Sequence, residues 1–208
     1  MTKKYDQPLV SIDVVPVRYA DGDVRVALGR RLFEPFIDQL ALPGVLLLPT
    51  ESIDDAAYRA LASKSGIKRE DVLSLVRIGA FDNPDRDPRG ATISIALIAI
   101  VAPEAESGSA VWQSRDEFDA LPFDHAAIIA EALSELNVRL WRNNDVTKAL
   151  VGSEFSTAHA VAITEKLSSG KVDKTNFTRT LKNYGVLEQT EAVKTGRGRP
   201  SAGWRFTV

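Results

Sequence analysis

Residues 91–103, ATISIALIAIVAP, form a nearly continuous apolar run. It is far short of the ~18–20 apolar residues that cross a bilayer. Thr92, Ile93, Ile95, Ile98, Ile100 and Val101 are β-branched, and a strand apolar at successive positions belongs near the centre of a sheet. The flanking segments supply the rest of that sheet. LVSIDVVPVRY (9–19) alternates, ADGD (20–23) is a turn signal and VRVALGRR (24–31) follows, so the pair reads as a hairpin. VLSLVRIGAF (72–81) is a further strand, and VWQ at 111–113 begins another. Two helices are expected beside them. One follows Ser52, capped by Ser52 and Asp55, with Ile53, Ala56, Ala60 and Leu61 as its apolar stripe and Gly66 as its stop. The other runs from about Asp124 to Arg142 on Ile128, Ile129, Ala132, Leu133, Leu136 and Leu140. Together these elements predict an α+β sandwich.

Between the second and third strands lies LPGVLLLPTESIDDAAYRALASKSGI (42–67), which resembles the Nudix box: Gly, a loop Glu, and a helix with Arg-Glu and a Glu-Glu pair. In the ungapped register the box Gly falls on Val45, the loop Glu on Glu51 and the helix Arg on Arg59. The three helix glutamates fall on Ala60, Ser63 and Lys64. Nudix hydrolysis uses a divalent cation, a hard ion that takes carboxylate oxygens. A methyl, a hydroxyl and an ammonium cannot replace them, and Lys64 adds repulsion. The expectation is therefore no catalytic residue, no metal site and no cofactor, in a fold whose pocket is still able to bind a nucleotide.

The composition bounds other classes. With no cysteine, disulfides and thiolate metal sites are excluded, which fits a reducing cytoplasm, and two histidines argue against a histidine-rich metal centre. No stretch reads as a transmembrane helix. Asp13 and Pro16 interrupt the N-terminal apolar segment, so no signal peptide is expected. The charge is unevenly placed: residues 143–208 hold ten Lys and Arg against six Asp and Glu, whereas residues 1–142 are net acidic. A basic tail on an acidic body points to a polyanionic partner.

NNDVTKALVG (143–152) is polar and reads as a helix-breaking connector. It divides the chain into 1–142, for ligand sensing and dimerisation, and 143–208. The second part reads helix, helix, hairpin, the order of a winged helix-turn-helix domain. Ser156, Thr157 and Asp173 are cap candidates. In the helix 174–184, Phe177, Leu181 and Tyr184 face inward. Lys174, Thr175, Asn176, Thr178, Arg179, Lys182 and Asn183 face outward, residue types that reach phosphates and base edges. The hairpin tip, Gly196-Arg197-Gly198-Arg199-Pro200, projects Arg197 and Arg199, and arginine is favoured in a narrow minor groove.

With these motifs in place the chain resembles the Nudix-related transcriptional regulators known as the NrtR family. The resemblance is carried by LPGVLLLPTES, FDNPDRDPRGATISIAL, LPFDHAAIIAEALSEL and NFTRTLKNYGVLEQTE. It implies a Nudix-like α/β/α sandwich followed by the winged helix, acting as a homodimer on double-stranded operator DNA. It further implies a repressor of NAD-metabolism genes, released by ADP-ribose or a related nucleotide. In the FDNPDRDPRG loop, Arg86 and Arg89 are candidate diphosphate contacts, as are Arg30 and Arg31 at the end of the second strand. If they do not bind ligand, Arg86 pairs with Asp87 and Arg89 with Asp85. Glu51 and Arg59 join the candidate ligand set, with a bracing role as their alternative. His125 is expected to cap or pack. Val45 and Leu46–Leu48 make the box loop more apolar than the pattern, which leaves a sugar or sugar phosphate open as the effector. A hydrolase of ADP-ribose-type substrates is the other reading.

Overall fold

A computed structural model of the protein describes residues 7–115, 117, 118, 120–193 and 201–207. The chain divides into two compact units: residues through Val17 with Arg25–Ala132, and Arg18–Val24 with residues from Leu133 onward.

The first unit is organised on β1 (Leu9–Ala20) and β2 (Asp23–Arg30), joined by the Asp21-Gly22 turn. β3 (Leu40–Ala41), β4 (Gly44–Leu46), β5 (Val72–Phe81), β6 (Thr92–Val101) and β7 (Val111–Ser114) complete a seven-stranded sheet. Its main order is β3-β2-β1-β6-β5, with β4 beside β1 and β7 beside β2. β6 runs parallel to β1, Leu9 facing Thr92 and Val17 facing Ile100, and antiparallel to β5. Ala96 through Val101 are all buried, so the apolar run occupies the sheet centre as its composition predicts.

α1 (Ile53–Ser65) begins at Ser52, whose Oγ accepts the Asp55 N–H at 3.1 Å and donates to the Asp55 carboxylate at 2.7 Å. Gly66, at φ +71°, ends it in the left-handed region that disfavours side chains. Ala56, Ala57, Ala60 and Leu61 pack on Ile12, Val14, Leu97 and Ala99. The small alanines let the helix lie close to the sheet. α2 (His125–Arg139) buries Ile128, Ile129, Ala132, Leu133 and Leu136 as expected. It stops before the expected Arg142, because the chain turns at Trp141 with φ +64°.

In the second unit the polar segment 143–152 is not a connector. It folds as α3 (Asn144–Val151). Asn143 serves as its N-cap, accepting the Val146 N–H at 3.0 Å, and Val146, Leu150 and Val151 are buried. β8 (Glu154–Ser156), α4 (Thr157–Ser168), α5 (Lys174–Asn183), β9 (Leu187–Val193) and β10 (Ser201–Phe206) follow. The three strands are ordered β8-β10-β9, and two helices with this hairpin form a winged helix. Ser156 and Asp173 cap α4 and α5 as the sequence indicates. Phe155, Phe177, Leu181, Trp204 and Phe206 form the core, and Trp141 packs tilted against Phe155 and edge-on to Phe177 and Tyr184. The 18–24 hairpin tip joins this unit through Tyr19, edge-on to His159, and through Asp23, 3.0 Å from Lys166. Among the described residues no helix is long and apolar enough to cross a membrane.

Candidate functional site

The end of β2, the β3–β4 turn, the last turns of α1, the 86–89 loop and the start of α2 enclose a cavity of about 540 Å³, within the range of small-molecule sites. Six cationic side chains border it: Arg30, Arg31, Arg59, Lys64, Arg86 and Arg89. The carboxylates are Asp13, Glu34 and Asp87, so the lining is net positive. Leu32, Phe33 and Phe123 supply apolar wall. Arg31 and Arg89 both stand over the Phe123 ring, 4.9 and 5.8 Å from its centre. Burial and the neighbouring Arg89 lower the Arg31 pKa, a sign of cations held close together.

Beneath the cavity is a buried polar hub that the local sequence pattern does not reveal. Asp13 Oδ2, on β1, accepts from Ser94 Oγ at 2.6 Å, Ser11 Oγ at 3.1 Å and Arg86 Nη2 at 3.1 Å. Arg86 also grips Asp124 with both arms of its fork, at 2.8 and 2.9 Å, and its side chain is 3% exposed. Burial lowers the Arg86 pKa, but the bonds and charges from Asp124 and Asp13 outweigh it and leave it raised. The pairs Arg86–Asp87 and Asp85–Arg89, the alternative to ligand contact, are not formed. Arg86 reaches Asp13 and Asp124, and Arg89 takes Asp87 at 2.7 Å. Arg86 turns inward and is held by two carboxylates at once, Asp13 and Asp124, as a buried guanidinium requires, which leaves Asp87 to Arg89. His125 packs as expected, its Nδ1 accepting the Leu42 N–H at 3.0 Å, and burial lowers its pKa, favouring the neutral ring.

A glycine makes room for the hub. A Cβ on Gly44 would lie 2.1 Å from Asp13 Oδ1, far inside contact distance. Gly44→Ala is therefore expected to lose about 1–3 kcal/mol by overpacking, measured as a shift in the urea midpoint. An unchanged midpoint would mean that the carboxylate moves aside without cost.

The retained box residues brace the loop onto the helix. Glu51 pairs with the Arg59 fork and accepts the Leu48 N–H at 2.8 Å, while Arg59 donates to the Leu46 carbonyl at 2.9 Å. Arg59 borders the cavity and Glu51 is not among its lining residues. Arg30 and Arg31 donate to the carbonyls of Asp38, Pro35 and Phe33, which ties down the 31–39 loop. On α1, Ala60 belongs to the buried face in the core, while Ser63 and Lys64 reach the cavity. Ser63 Oγ donates back to the Arg59 carbonyl at 2.6 Å. Among the described residues no three His, Asp or Glu side chains gather as a metal site. The donor set does not fit the divalent cation that the box pattern implies.

On α5, Lys174, Thr175, Thr178, Arg179 and Lys182 line one shallow surface groove, with Asn176 exposed on the same helix. The Thr178 hydroxyl is engaged by the Lys174 carbonyl at 2.7 Å. Phe177 and Leu181 hold the opposite face in the core, while Tyr184 is half-buried and donates to Asn144 Oδ1 at 2.8 Å. Arg197 and Arg199 lie outside the described residues. The sequence reading missed Asp13, Asp124 and Phe123 as parts of the site. The LPFDH segment was singled out by resemblance, but nothing local marks Asp13.

Fold and site together define a Nudix-like domain followed by a winged helix. Residues 149–206 match the family model of the NrtR DNA-binding winged helix domain. The chain is 26% identical over 214 residues to the ADPR responsive transcriptional repressor NtrR of Acinetobacter baylyi, covering 98% of this chain and 84% of that protein. It is 29% identical over 144 residues to the ADP-ribose pyrophosphatase of Methanocaldococcus jannaschii, covering 67% of this chain and 78% of the enzyme. The fold matches that of Shewanella oneidensis NrtR, solved with a 27mer DNA, at a TM-score of 0.76 and 22% identity, over 95% of this chain and 93% of that one.

Proposed function

We propose that the protein is a cytoplasmic, ligand-responsive transcriptional repressor that binds operator DNA through its winged helix. Its Nudix-like cavity senses ADP-ribose or a related nucleotide without hydrolysing it. The observation that carries this reading is the cavity itself: it is lined with cations, yet Ala60, Ser63 and Lys64 stand where metal-binding glutamates would be. Recognition of an anion survives there, whereas metal-assisted attack lacks its ligands. The repressor from Acinetobacter baylyi, similar over almost the whole chain, supports the same reading. Arg89 and Arg31 are the favoured ligand contacts among the arginines, followed by Arg30. Arg59, Glu51 and Arg86 hold the frame.

The functional division is 1–142 for sensing and dimerisation and 143–208 for DNA. As a homodimer the protein presents two α5 helices to a palindromic operator. Ligand binding releases DNA only through different affinities for the two dimer geometries. Regulated genes in NAD metabolism fit an ADP-ribose effector. The test is a mobility shift on operator DNA titrated with ADP-ribose, where release is expected. A complex indifferent to ADP-ribose would transfer the effector role to another ligand, a sugar phosphate first.

Arg179→Ala is expected to weaken operator binding by about 1–3 kcal/mol if the side chain reads a base, or to reduce the salt slope by about one if it meets a phosphate. Fluorescence anisotropy at several salt concentrations separates the two. Equal binding by wild type and variant at every salt concentration would move the DNA surface off α5.

The similarity to an ADP-ribose pyrophosphatase and the retained Glu51 favour one second reading, residual hydrolysis. AMP formed from ADP-ribose in magnesium or manganese, and abolished by Glu51→Gln, would establish it.

A further inference from the structure

Lys64 differs from the other cations of the cavity. Arg30 and Arg31 are held by backbone carbonyls, Arg59 by Glu51, Arg86 by Asp13 and Asp124, and Arg89 by Asp87. Among the described residues the Lys64 side chain has no hydrogen bond or ion pair, and it is exposed at the cavity wall. Its backbone, by contrast, is fixed. A Cβ on Gly29 would lie 2.2 Å from the Lys64 carbonyl oxygen, so the last turn of α1 is seated directly on β2 beside Arg30 and Arg31. An ammonium on a flexible stem, with three free donors and a fixed base, is suited to an anion that enters the cavity.

We propose that Lys64 Nζ binds the phosphate oxygens of a nucleoside-diphosphate ligand and supplies there the positive charge that a divalent cation would otherwise provide. Ligand recognition by this chain is then independent of metal. The inference rests on reading the cavity as the effector site. The replacement of a box glutamate by lysine is thus not only a loss of hydrolysis. It converts a cation-dependent diphosphate site into one that carries its own cation. The competing role for Lys64 is structural, since a lysine in the last turn of a helix also suits the helix dipole. That role affects stability and leaves ligand affinity and its metal dependence unchanged.

The experiment is calorimetric titration of the full chain with ADP-ribose and, separately, with inorganic pyrophosphate, both in excess EDTA. Wild-type affinity for ADP-ribose is expected to be the same in EDTA and in magnesium. Lys64→Ala is expected to lose about tenfold or more in EDTA, Lys64→Glu to lose more, and Lys64→Arg to retain binding, all with unchanged melting temperatures. Lys64→Ala binding like wild type, or wild type needing magnesium, would overturn the proposal. Lys64-dependent binding of pyrophosphate with none of ADP-ribose would uphold Lys64 and remove ADP-ribose as the effector. No wild-type binding of either anion would remove both.

Discussion

Arg86→Ala lowers the unfolding free energy by about 3–5 kcal/mol, read as a fall in the urea midpoint at unchanged slope. The size follows from what is left behind. Asp13 and Asp124 lose the charge and the donors that hold them together, and both are largely removed from water. Arg86→Lys keeps the charge but loses the two-armed grip on Asp124, so a smaller loss is expected. Asp13→Asn combined with Arg86→Ala should cost clearly less than the two single changes added, because the groups act as one network. An Arg86→Ala midpoint close to wild type would show that the hub does not hold the 86–89 loop.

Trp204→Ala destabilises the winged helix by about 3–5 kcal/mol. The indole is 2% exposed, its Nε1 donates to Thr157 Oγ1 at 2.8 Å, and its strand, β10, pairs with both β8 and β9. Its loss opens a cavity where both neighbouring strands meet. Thr157→Val removes that acceptor together with the hydroxyl's own bond to the Ala202 carbonyl and should cost about 1–2 kcal/mol, with the indole N–H left to find another partner. If the proposed division at residue 142 is functional, Trp204→Ala abolishes operator binding while ADP-ribose binding in the other domain persists. Calorimetry would then show the second unit melting at a lower temperature, ahead of the first. Coincident loss of both binding activities would join the two domains into one cooperative block.

The parts of the fold that are set locally could be read from the sequence. β1, β2, β5 and β6 follow period-two or continuous apolar patterns, and the caps at Ser52, Ser156 and Asp173 follow from residue type and spacing. The failure at 143–152 has a local cause as well. Asn143 reads as a breaker in isolation, whereas a side chain that satisfies the Val146 N–H starts a helix. Thr147, polar in sequence, is buried because its hydroxyl accepts the Trp141 N–H and donates to the Asn143 carbonyl.

The cavity was legible in its arginines but not in their tasks. Arg86 has the same sequence signature as Arg89, a charged residue in a proline-pinned loop. Only the distant Asp13 and Asp124 make it internal. Asp13 itself looks like an interruption of an apolar strand, and its partners come from β1, β6 and the 86–89 loop. Long-range polar networks of this kind leave no periodicity. Lys64 was visible as a charge in the wrong place for a metal. What the sequence did not show is that its neighbouring cations are already engaged.

The parallel alignment of β1 with β6 also governs the order in which the first unit can assemble. Leu9 through Val17 wait for partners at Thr92 through Ile100, so the emerging polypeptide exposes an apolar edge until most of the unit has left the ribosome. Closing so long a loop before any pairing is gained makes this step slow. A fragment ending after α1 would contain nearly all of the box-like segment and yet lack the strand on which β1 must lie. Such truncations are expected to associate with one another rather than to bind ligand.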